Sequence, residues 1–383
     1  MLHFKYRLFL TMFGLLTCFT LSSCWKRELK IGLAMPLSGA STPRGQEILN
    51  AVLLAIEETN QKGGVKGHPL ELITQDDQDS AQLAPKSAET LVQKGVVGVI
   101  GHYSSDASLA ALSTYIAAGI PLISPSVSLS NMPSEGRIFF RTGGHNLQQA
   151  QTAAEFIHAS GFKRIAIVRN RSVYAKELAG HLESALKHYA DTQAFQYQDE
   201  AELWNSFQLF QPELVFYAGG YQDASQFLLH MRDHNSYAQF MGGHTLEDDE
   251  FIRIAGVQQV KGSWVLSRHQ GEAEFIQKYQ QRFGRPGPYS ASAFEATQLL
   301  IKALETSPDF EPEDIQDALA KLQKQQKQAP FYISEISDKG QFQPAPVLTQ
   351  AYAQSGSRLG AKARLAAPAT KIKLKKPSPL KKP

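Results

Sequence analysis

The chain has 383 residues, of which 43% are hydrophobic, and a formal net charge of +3. This length suits two or three domains with a large buried core, and the composition excludes a chain that is disordered throughout. Nine lysines and arginines, with no acidic residue, lie between Gly356 and Pro383, so the rest of the chain carries a formal charge of −6. The composition therefore argues against a nucleic-acid-binding body.

The N-terminus has the pattern of an export signal. A positively charged start is followed by an apolar stretch from Leu8 to Leu21, which is too short for a transmembrane helix with these flanks. The stretch ends in the motif LSSC, which looks like the lipobox of bacterial lipoproteins, with Cys24 as the acylated residue. We predict a signal peptide over residues 1–23 and a lipid-anchored linker over 24–28. The alternative is an uncleaved anchor with an incidental cysteine.

From Leu29 onward, short apolar runs typical of strands alternate with helical periodicities. Ile48, Val52, Ala55 and Ile56 mark one helix face, and a further helix is predicted from about Ser80 to Lys94. The alternation predicts parallel sheets covered by helices on both faces. About nine strands exceed the usual single sheet, and FFRTGGHNLQQA looks like a crossover, so we expect two doubly wound lobes. The predicted strands lie in ELKIGLAM, HPLELITQDD, VVGVIGH, IPLISPS, RIAIVRN, ELVFYAGG, AQFMGGH and GSWVLS.

Hydroxyl groups follow two of these predicted strands. Ser105 comes after VVGVIGH, where the first free N–H groups of the next helix form an anion site. Ser124, Ser126 and Ser128 come after the following strand. Two neighbouring strand ends with matching hydroxyls indicate one binding site. The alternative for Ser105 is a simple helix cap.

Eight motifs follow one another along the chain: LSG, NQKGGVKGHPLEL, DDQD, VIGHYSS, IPLISPSVS, RIAIV, QFMGG and GPYSASAFEA. On these motifs, the chain resembles the periplasmic leucine/isoleucine/valine-binding proteins, the solute receptors of branched-chain amino-acid ABC transporters, from about Leu29 to Tyr352.

The resemblance implies a fold of two doubly wound parallel-sheet lobes, joined by three crossing segments, that close on a solute by hinge motion. The implied boundaries are residues 29–143 plus 270–340 for lobe 1, 144–269 plus 341–355 for lobe 2, and 356–383 for a basic disordered tail. That tail could contact anionic lipid or cell-wall polymers, or be solvated without a partner.

The resemblance also implies a set of ligand contacts. Ser105 and Ser128 would bind a ligand carboxylate, together with backbone groups around Ser126 and Val127. Tyr174 would cover the ligand from the second lobe, although packing within its loop is the alternative reading of this residue.

Two positions that differ from the family's pattern, His244 and Arg44, bear on the ligand. His244 stands in the loop after QFMG, where amino-acid-binding relatives usually hold the ligand ammonium with a carboxylate. A neutral imidazole cannot serve as a counter-ion there, so an ordinary α-amino acid is in doubt. Asp223 or Glu247 could replace that carboxylate, and Tyr221 could line the same wall. Arg44 could pair with a second anionic group of the solute or be a solvated loop residue.

Other chemistry is weakly indicated. His230 and His234 are spaced i, i+4 but no HExxH pattern or further ligand cluster accompanies them in the sequence, and GxxxxGK[ST] and GxSxG motifs are absent. We therefore expect no enzyme activity, catalytic residue, metal or cofactor.

We expect a monomeric, lipid-anchored receptor in the cell envelope that binds a small polar or carboxylate-bearing solute, an amino acid or a related compound. Its partners would be the solute, an ABC transporter permease and, through Cys24, a membrane. The alternative is a regulatory lipoprotein that uses the same fold to contact a cell-wall enzyme or sensor.

Overall fold

The structure, a computed structural model, describes residues 27–197, 200–325 and 331–345. The predicted export signal, Cys24 and the basic tail lie outside these residues. Within the described part, no helix combines the length and the apolarity that crossing a membrane requires.

Strands and helices alternate along the described chain. In chain order the elements are β1 (Leu29–Met35), α1 (Thr42–Gln61), β2 (Leu70–Asp76), α2 (Ala84–Gln93), β3 (Gly98–Gly101), α3 (Ser105–Ala118), β4 (Leu122–Ser124), β5 (Phe139–Arg141), α4 (Asn146–Ser160), β6 (Arg164–Arg169), α5 (Val173–Leu186), β7 (Asp191–Gln196), α6 (Glu200–Phe210), β8 (Leu214–Ala218), α7 (Tyr221–Asp233), β9 (Gln239–Gly242), a 3-10 helix (His244–Leu246), α8 (Asp249–Ala255), α9 (Val257–Val260), β10 (Trp264–Ser267), α10 (Ala273–Phe283), α11 (Ser290–Thr306), α12 (Pro312–Gln325), β11 (Tyr332–Ile336) and β12 (Phe342–Pro344).

The first lobe is built on a five-stranded parallel sheet with the order β2-β1-β3-β4-β5. Central strand β1 reads as a continuous apolar run because helices cover both faces of the sheet. Ile31 and Leu33 are fully buried among residues from α1, α10, α11 and α12. The opposite face packs against α2 and α3.

The second lobe is built on a seven-stranded sheet with the order β12-β11-β10-β9-β8-β6-β7. Strands β6 to β10 are parallel, whereas β11 and β12 add to the edge as antiparallel strands. The two sheets confirm the expected class of two doubly wound lobes.

Three details differ from the sequence analysis. The described chain has twelve strands rather than about nine, because β5 and β12 have three residues each and β7 and β11 mix polar with apolar residues. Helix α2 begins at Ala84 rather than near Ser80, since residues 80–83 form a turn before Pro85. Strand β11 pairs with β10, so residues 332–336 belong to the second sheet, and the predicted lobe boundary at residue 340 is wrong.

A fully buried pair fixes the loop after β2. Asp77 Oδ2 lies 2.5 Å from Nδ1 of His102, whose Nε2 lies 3.1 Å from the Tyr115 hydroxyl. The other oxygen of Asp77 accepts a hydrogen bond from the N–H of Asp79 at 2.9 Å. Asp79 has φ of +57°, in the left-handed region. The buried pair therefore holds Asp79 in a backbone conformation that it would rarely adopt by itself.

We predict that Asp77→Asn destabilises the protein by about 3 kcal/mol, because it removes the charge that faces a buried imidazole. The measurement is the free energy of unfolding from urea denaturation. Asp317→Asn, at an exposed position of helix α12, is the control, and we expect less than about 1 kcal/mol. Equal losses in the two variants would contradict a structural role of the pair.

Candidate ligand-binding site

A cavity of about 220 Å³ lies between the two lobes. Most of its wall is formed by loops that follow the carboxyl ends of strands, as expected for parallel sheets. These strands are β1 to β4 in lobe 1 and β6, β8 and β9 in lobe 2. The lining residues are Ser41, Asp79, Tyr103, Ser104, Ser105, Asp106, Ser126, Ser128, Asn170, Ser172, Tyr174, Gly220, Tyr221, Gln222, Asp223, His244, Thr245 and Tyr289.

Two of the predicted serine hydroxyls are available to a ligand. Ser105 and Ser128 line the cavity, are buried, and form no side-chain hydrogen bond to another described residue. Helix α3 is capped by Ser104, whose hydroxyl accepts from the N–H of Ala107 at 3.2 Å. Because Ser104 performs the capping, Ser105 can direct its hydroxyl to a solute.

The groups predicted around Ser126 and Val127 are used inside the protein. The Ser126 hydroxyl donates to the Tyr103 carbonyl at 2.7 Å, and the N–H groups of Ser126 and Val127 donate to the Ser124 hydroxyl at 3.3 and 3.1 Å. Ser126 still lines the cavity, whereas Val127 is not among its lining residues. These bonds fix the loop that presents Ser128.

Aromatic rings form a continuous wall of the cavity. Tyr174 contacts His244 at 5.6 Å between ring centroids, His244 contacts Tyr289 at 6.0 Å, and Tyr289 contacts Tyr103 at 5.4 Å. Tyr174 is 9% exposed, and its hydroxyl has no hydrogen-bond partner among the described residues. This hydroxyl lies beside Gly243 and is buried within the protein, so Tyr174 lines the cavity mainly through its ring.

His244 has both ring nitrogens occupied by protein groups. Its Nδ1 lies 2.8 Å from Oε1 of Gln149, and its Nε2 lies 3.1 Å from Nη2 of Arg268. Burial, reinforced by the Arg268 charge, lowers the pKa of His244 well below its usual value. These partners assign a neutral imidazole that donates from Nδ1 and accepts at Nε2. His244 therefore lines the cavity but cannot act as a counter-ion for an ammonium group.

Arg268 is a central residue that the sequence analysis missed. It is 5% exposed and donates to the carbonyls of Pro125 and Ser126 at 2.9 and 3.2 Å. Its guanidinium also lies over the rings of Tyr289 and Phe331, at 5.0 and 5.8 Å from their centroids. The available signal was a cation placed directly after the buried strand GSWVLS.

Arg44 lies outside the lining of this cavity. It is 7% exposed and pairs with Glu47 at 2.7 Å on its own helix α1 and with Asp248 of the second lobe at 3.1 Å. Arg44 is therefore neither a contact in this cavity nor a solvated loop residue, and it forms an ion pair between the lobes instead. The Tyr221 hydroxyl also joins the lobes, since it donates to the Ala40 carbonyl at 3.3 Å.

Of the two carboxylates considered as replacements for the missing anchor, only Asp223 lines the cavity, where it accepts from Asn170 at 2.7 Å. Glu247 accepts from the N–H of Arg268 and from Gln270 and is not among the lining residues. Asp79 and Asp106 also line the cavity, and the sequence analysis did not select them. Asp79 belongs to the DDQD motif, which was the signal that could have identified it.

His230 and His234 do not share a site. Tyr197 contacts Nδ1 of His230 at 3.0 Å, whereas the His234 ring stacks on Trp204 at 4.4 Å. Among the residues that the structure describes, no group of three or more His, Cys, Asp or Glu side chains could hold a metal ion.

Comparison with known proteins identifies the family. Residues 28–353 match the periplasmic binding protein family. The chain belongs to this family. Among its members, a Leu/Ile/Val-binding protein homolog of Brucella melitensis is 25% identical over 78% of the chain and 83% of that relative. The leucine-specific-binding protein of Salmonella typhimurium is 27% identical over 75% of the chain and 82% of its own length. These matches confirm the resemblance to branched-chain amino-acid-binding proteins.

Solved structures of the same family share the fold. A leucine binding protein, LivK, from Thermotoga maritima has a TM-score of 0.74 at 18% identity, covering 82% of this chain and 97% of that protein. The substrate binding protein LivJ of a Streptococcus pneumoniae branched-chain amino acid transporter, in complex with isoleucine, has a TM-score of 0.73 at 21% identity, covering 82% and 98%. Both comparisons confirm the two-lobed architecture.

We predict that Glu247 makes stability depend on pH. Burial raises its pKa from 4.5 to about 7. Below pH 4.5 the carboxyl is protonated in both states, and as the pH rises to 7 the unfolded chain ionises first, which favours unfolding. Glu247→Gln removes this dependence, so the stability of wild type relative to the variant should fall by roughly 3 kcal/mol from pH 4.5 to 7.5.

Urea denaturation at the two pH values measures this difference. Glu250→Gln is the control, because a bond from Arg253 lowers the pKa of Glu250 and its effect has the opposite sign. A stability difference between wild type and Glu247→Gln that stays constant with pH would refute the prediction.

Proposed function

We propose that the chain is the solute-binding component of an ABC transporter. It acts outside the cytoplasm as a monomer and closes its lobes around a small polar or carboxylate-bearing solute, an amino acid or a related compound. The observation that carries this proposal is a polar cavity between the two lobes, at the carboxyl ends of both sheets. Family membership supports solute binding rather than catalysis, and the proposal includes no covalent step.

The composition of the cavity wall favours a polar solute over leucine, isoleucine or valine. Among the described lining residues there is no aliphatic side chain, and the wall consists of hydroxyl, carboxylate, amide, imidazole and tyrosine groups with one glycine. A branched aliphatic side chain would desolvate these groups without giving them partners, which costs free energy. We therefore propose a solute other than leucine, although two similar proteins are named for leucine binding.

The size of the cavity favours a compact solute. Its volume of about 220 Å³ lies below the range of about 300–1,000 Å³ that is usual for drug-sized ligands. Ser105 and Ser128 supply hydroxyl donors from lobe 1, and the ring of Tyr174 lines the cavity from lobe 2. A solute that spans the cavity gains contacts from both lobes only when they are closed, so binding shifts the population toward the closed state.

We propose that the mature protein is anchored to a membrane by lipid on Cys24, so that the two lobes remain in the cell envelope near the permease. The support is the LSSC motif after an export-type apolar stretch.

The test is a thermal-shift screen on the full chain in detergent, after unfolding and refolding to remove bound solute. The library contains amino acids, amides, short carboxylic acids and amines. A ligand at 100 times its dissociation constant should stabilise the protein by about 2.7 kcal/mol. We expect shifts from polar solutes and none from leucine. Leucine as the single stabilising compound would contradict a polar site, and no shift from any compound would contradict solute binding.

The variants Ser105→Ala and Tyr174→Phe test the location of the site. Each removes the hydroxyl of a residue that lines the cavity, and we expect either to weaken binding about fivefold to tenfold. Ser113→Ala, at an exposed position of the same helix α3, and Tyr237→Phe, 78% exposed, are matched controls that should bind as wild type does. Unchanged affinity in both cavity variants would place the site elsewhere.

A further inference from the structure

A hydrogen-bond network lies behind the wall of the solute cavity. Nη2 of Arg268 donates to Nε2 of His244 at 3.1 Å, and Nδ1 of His244 donates to Oε1 of Gln149 at 2.8 Å. Nε2 of Gln149 donates to Oδ1 of Asn146 at 2.9 Å, and Nδ2 of Asn146 donates to Oε2 of Glu177 at 2.7 Å. We call these five side chains the Arg268–Glu177 network. Only His244 among them is found in the described lining of the cavity.

The two ends of the network set its direction. A guanidinium only donates hydrogen bonds, and an ionised carboxylate only accepts them. The intervening groups must therefore each accept on the side of Arg268 and donate on the side of Glu177, and all four bonds follow this order. Gln149 and Asn146 are fully buried, so an amide turned the other way would leave buried donors and acceptors unpaired.

Both ends of the network hold the same loop of lobe 1, residues 125–130 after β4. The Arg268 guanidinium donates to the carbonyls of the first two residues of this loop at 2.9 and 3.2 Å. At the other end of the loop, the N–H of Ser130 donates to both oxygens of Glu177, at 3.1 and 3.0 Å. Glu177 lies on α5 of lobe 2, so its carboxylate joins the two lobes through this contact.

The loop 125–130 carries part of the solute site. Ser126 and Ser128 line the cavity, and the Ser128 carbonyl accepts the N–H of Asn146 at 2.6 Å. The Ser130 hydroxyl accepts the N–H of Leu147 at 3.1 Å. The first turn of α4 therefore holds the middle and the end of the loop as well. A hydroxyl that contacts a solute must be held within about 0.5 Å of its productive position, so the site depends on these anchors.

We propose that Glu177, which is not among the lining residues, is a positioning residue for solute binding. It accepts from Asn146 and from the N–H of Ser130 at the same time, and thereby holds the loop that presents Ser128. A carboxylate makes stronger hydrogen bonds than a neutral acceptor, and it turns no donor of its own toward either N–H group. The inference rests on the proposed function, since it concerns the affinity of the site between the lobes.

Hydrogen–deuterium exchange on the full, solute-stripped chain in detergent tests whether Glu177 holds the loop. We expect the amides of residues 125–130 to exchange about fivefold or more faster in Glu177→Gln and in Glu177→Ala. Glu177→Asp keeps the charge and should restore part of the protection. Glu183→Gln, at an exposed position of the same helix α5, is the matched control and should exchange as wild type does. Unchanged exchange in both Glu177→Gln and Glu177→Ala would overturn the anchoring role.

Isothermal titration calorimetry measures the consequence for binding, with glycine, L-serine, L-glutamine, acetamide and succinate as probes. Each probe that binds wild type should bind Glu177→Gln about fivefold to tenfold more weakly and Glu183→Gln with unchanged affinity. Glu177→Asp should recover part of the loss. The thermal midpoint of each variant without a probe shows that it is folded, so weaker binding at an unchanged midpoint reports positioning rather than loss of the fold.

Nitrogen-15 NMR of the chain labelled at histidine tests the direction of the network. The signals of His244 are those that disappear in His244→Gln. We expect a neutral imidazole protonated at Nδ1 in wild type and in Arg268→Lys, since an ammonium also only donates. An amide can donate or accept, so a signal protonated at Nε2 should appear in Arg268→Gln. A wild-type imidazole protonated at Nε2 would overturn the direction of the network.

The outcomes separate this inference from the proposed function. A probe that binds Glu177→Gln as tightly as wild type overturns the positioning role and leaves the solute receptor intact. The absence of binding by every probe here and by every compound of the thermal-shift library overturns the proposed function, and the role of Glu177 in binding falls with it. Hydrogen exchange needs no solute and still decides whether Glu177 holds the loop.

Discussion

The arrangement of the site depends on the hydrogen bonds that the Arg268 guanidinium donates. This guanidinium lies in the segment that leaves β10 for lobe 1, donates to two carbonyls of the loop after β4, and donates to the imidazole of His244. One buried cation thus holds a lobe 1 loop, a lobe 2 loop and a crossing segment together. Such a group is costly to bury, so its hydrogen bonds and the rings of Tyr289 and Phe331 are needed to compensate it.

This arrangement separates charges across the cavity. The cationic side chains nearest the site, Arg268 and Arg44, are occupied by protein acceptors, whereas Asp79 has an oxygen with no partner in the described chain. The protein therefore supplies acceptors for most of the donors on these cations, although Nε of Arg268 has no hydrogen-bond partner among the described residues. A site of this kind discriminates by the groups that a wrong solute would leave unpaired, and not only by the contacts that the right one makes.

The sequence predicts the two-lobed α/β fold and the serines at the strand ends, because buried parallel strands and their periodicity depend on local composition. It does not predict β11 and β12, since these short antiparallel strands carry no continuous apolar run. It locates Ser105, Ser128 and Tyr174 but gives Arg44 a ligand contact, because sequence spacing cannot show that Asp248, 204 residues away, faces it. Arg268 and Asp79 were missed for the same reason, since their importance depends on tertiary neighbours.

The burial of Asp248 opposes the ion pair between the lobes, so this contact alone does not decide whether the lobes close. Arg44 and Glu47 belong to the same helix, so this contact does not require closure. The contact between the lobes adds Asp248 as a second carboxylate beside Arg44. Burial raises the pKa of Asp248 to about 6, although the Arg44 charge lowers it. For Asp248 the cost of burial outweighs the attraction of Arg44, whereas for Arg44 the charges of Glu47 and Asp248 outweigh burial and raise its pKa. Because this contact does not by itself favour the closed form, contacts made by a bound solute to both lobes can control the equilibrium.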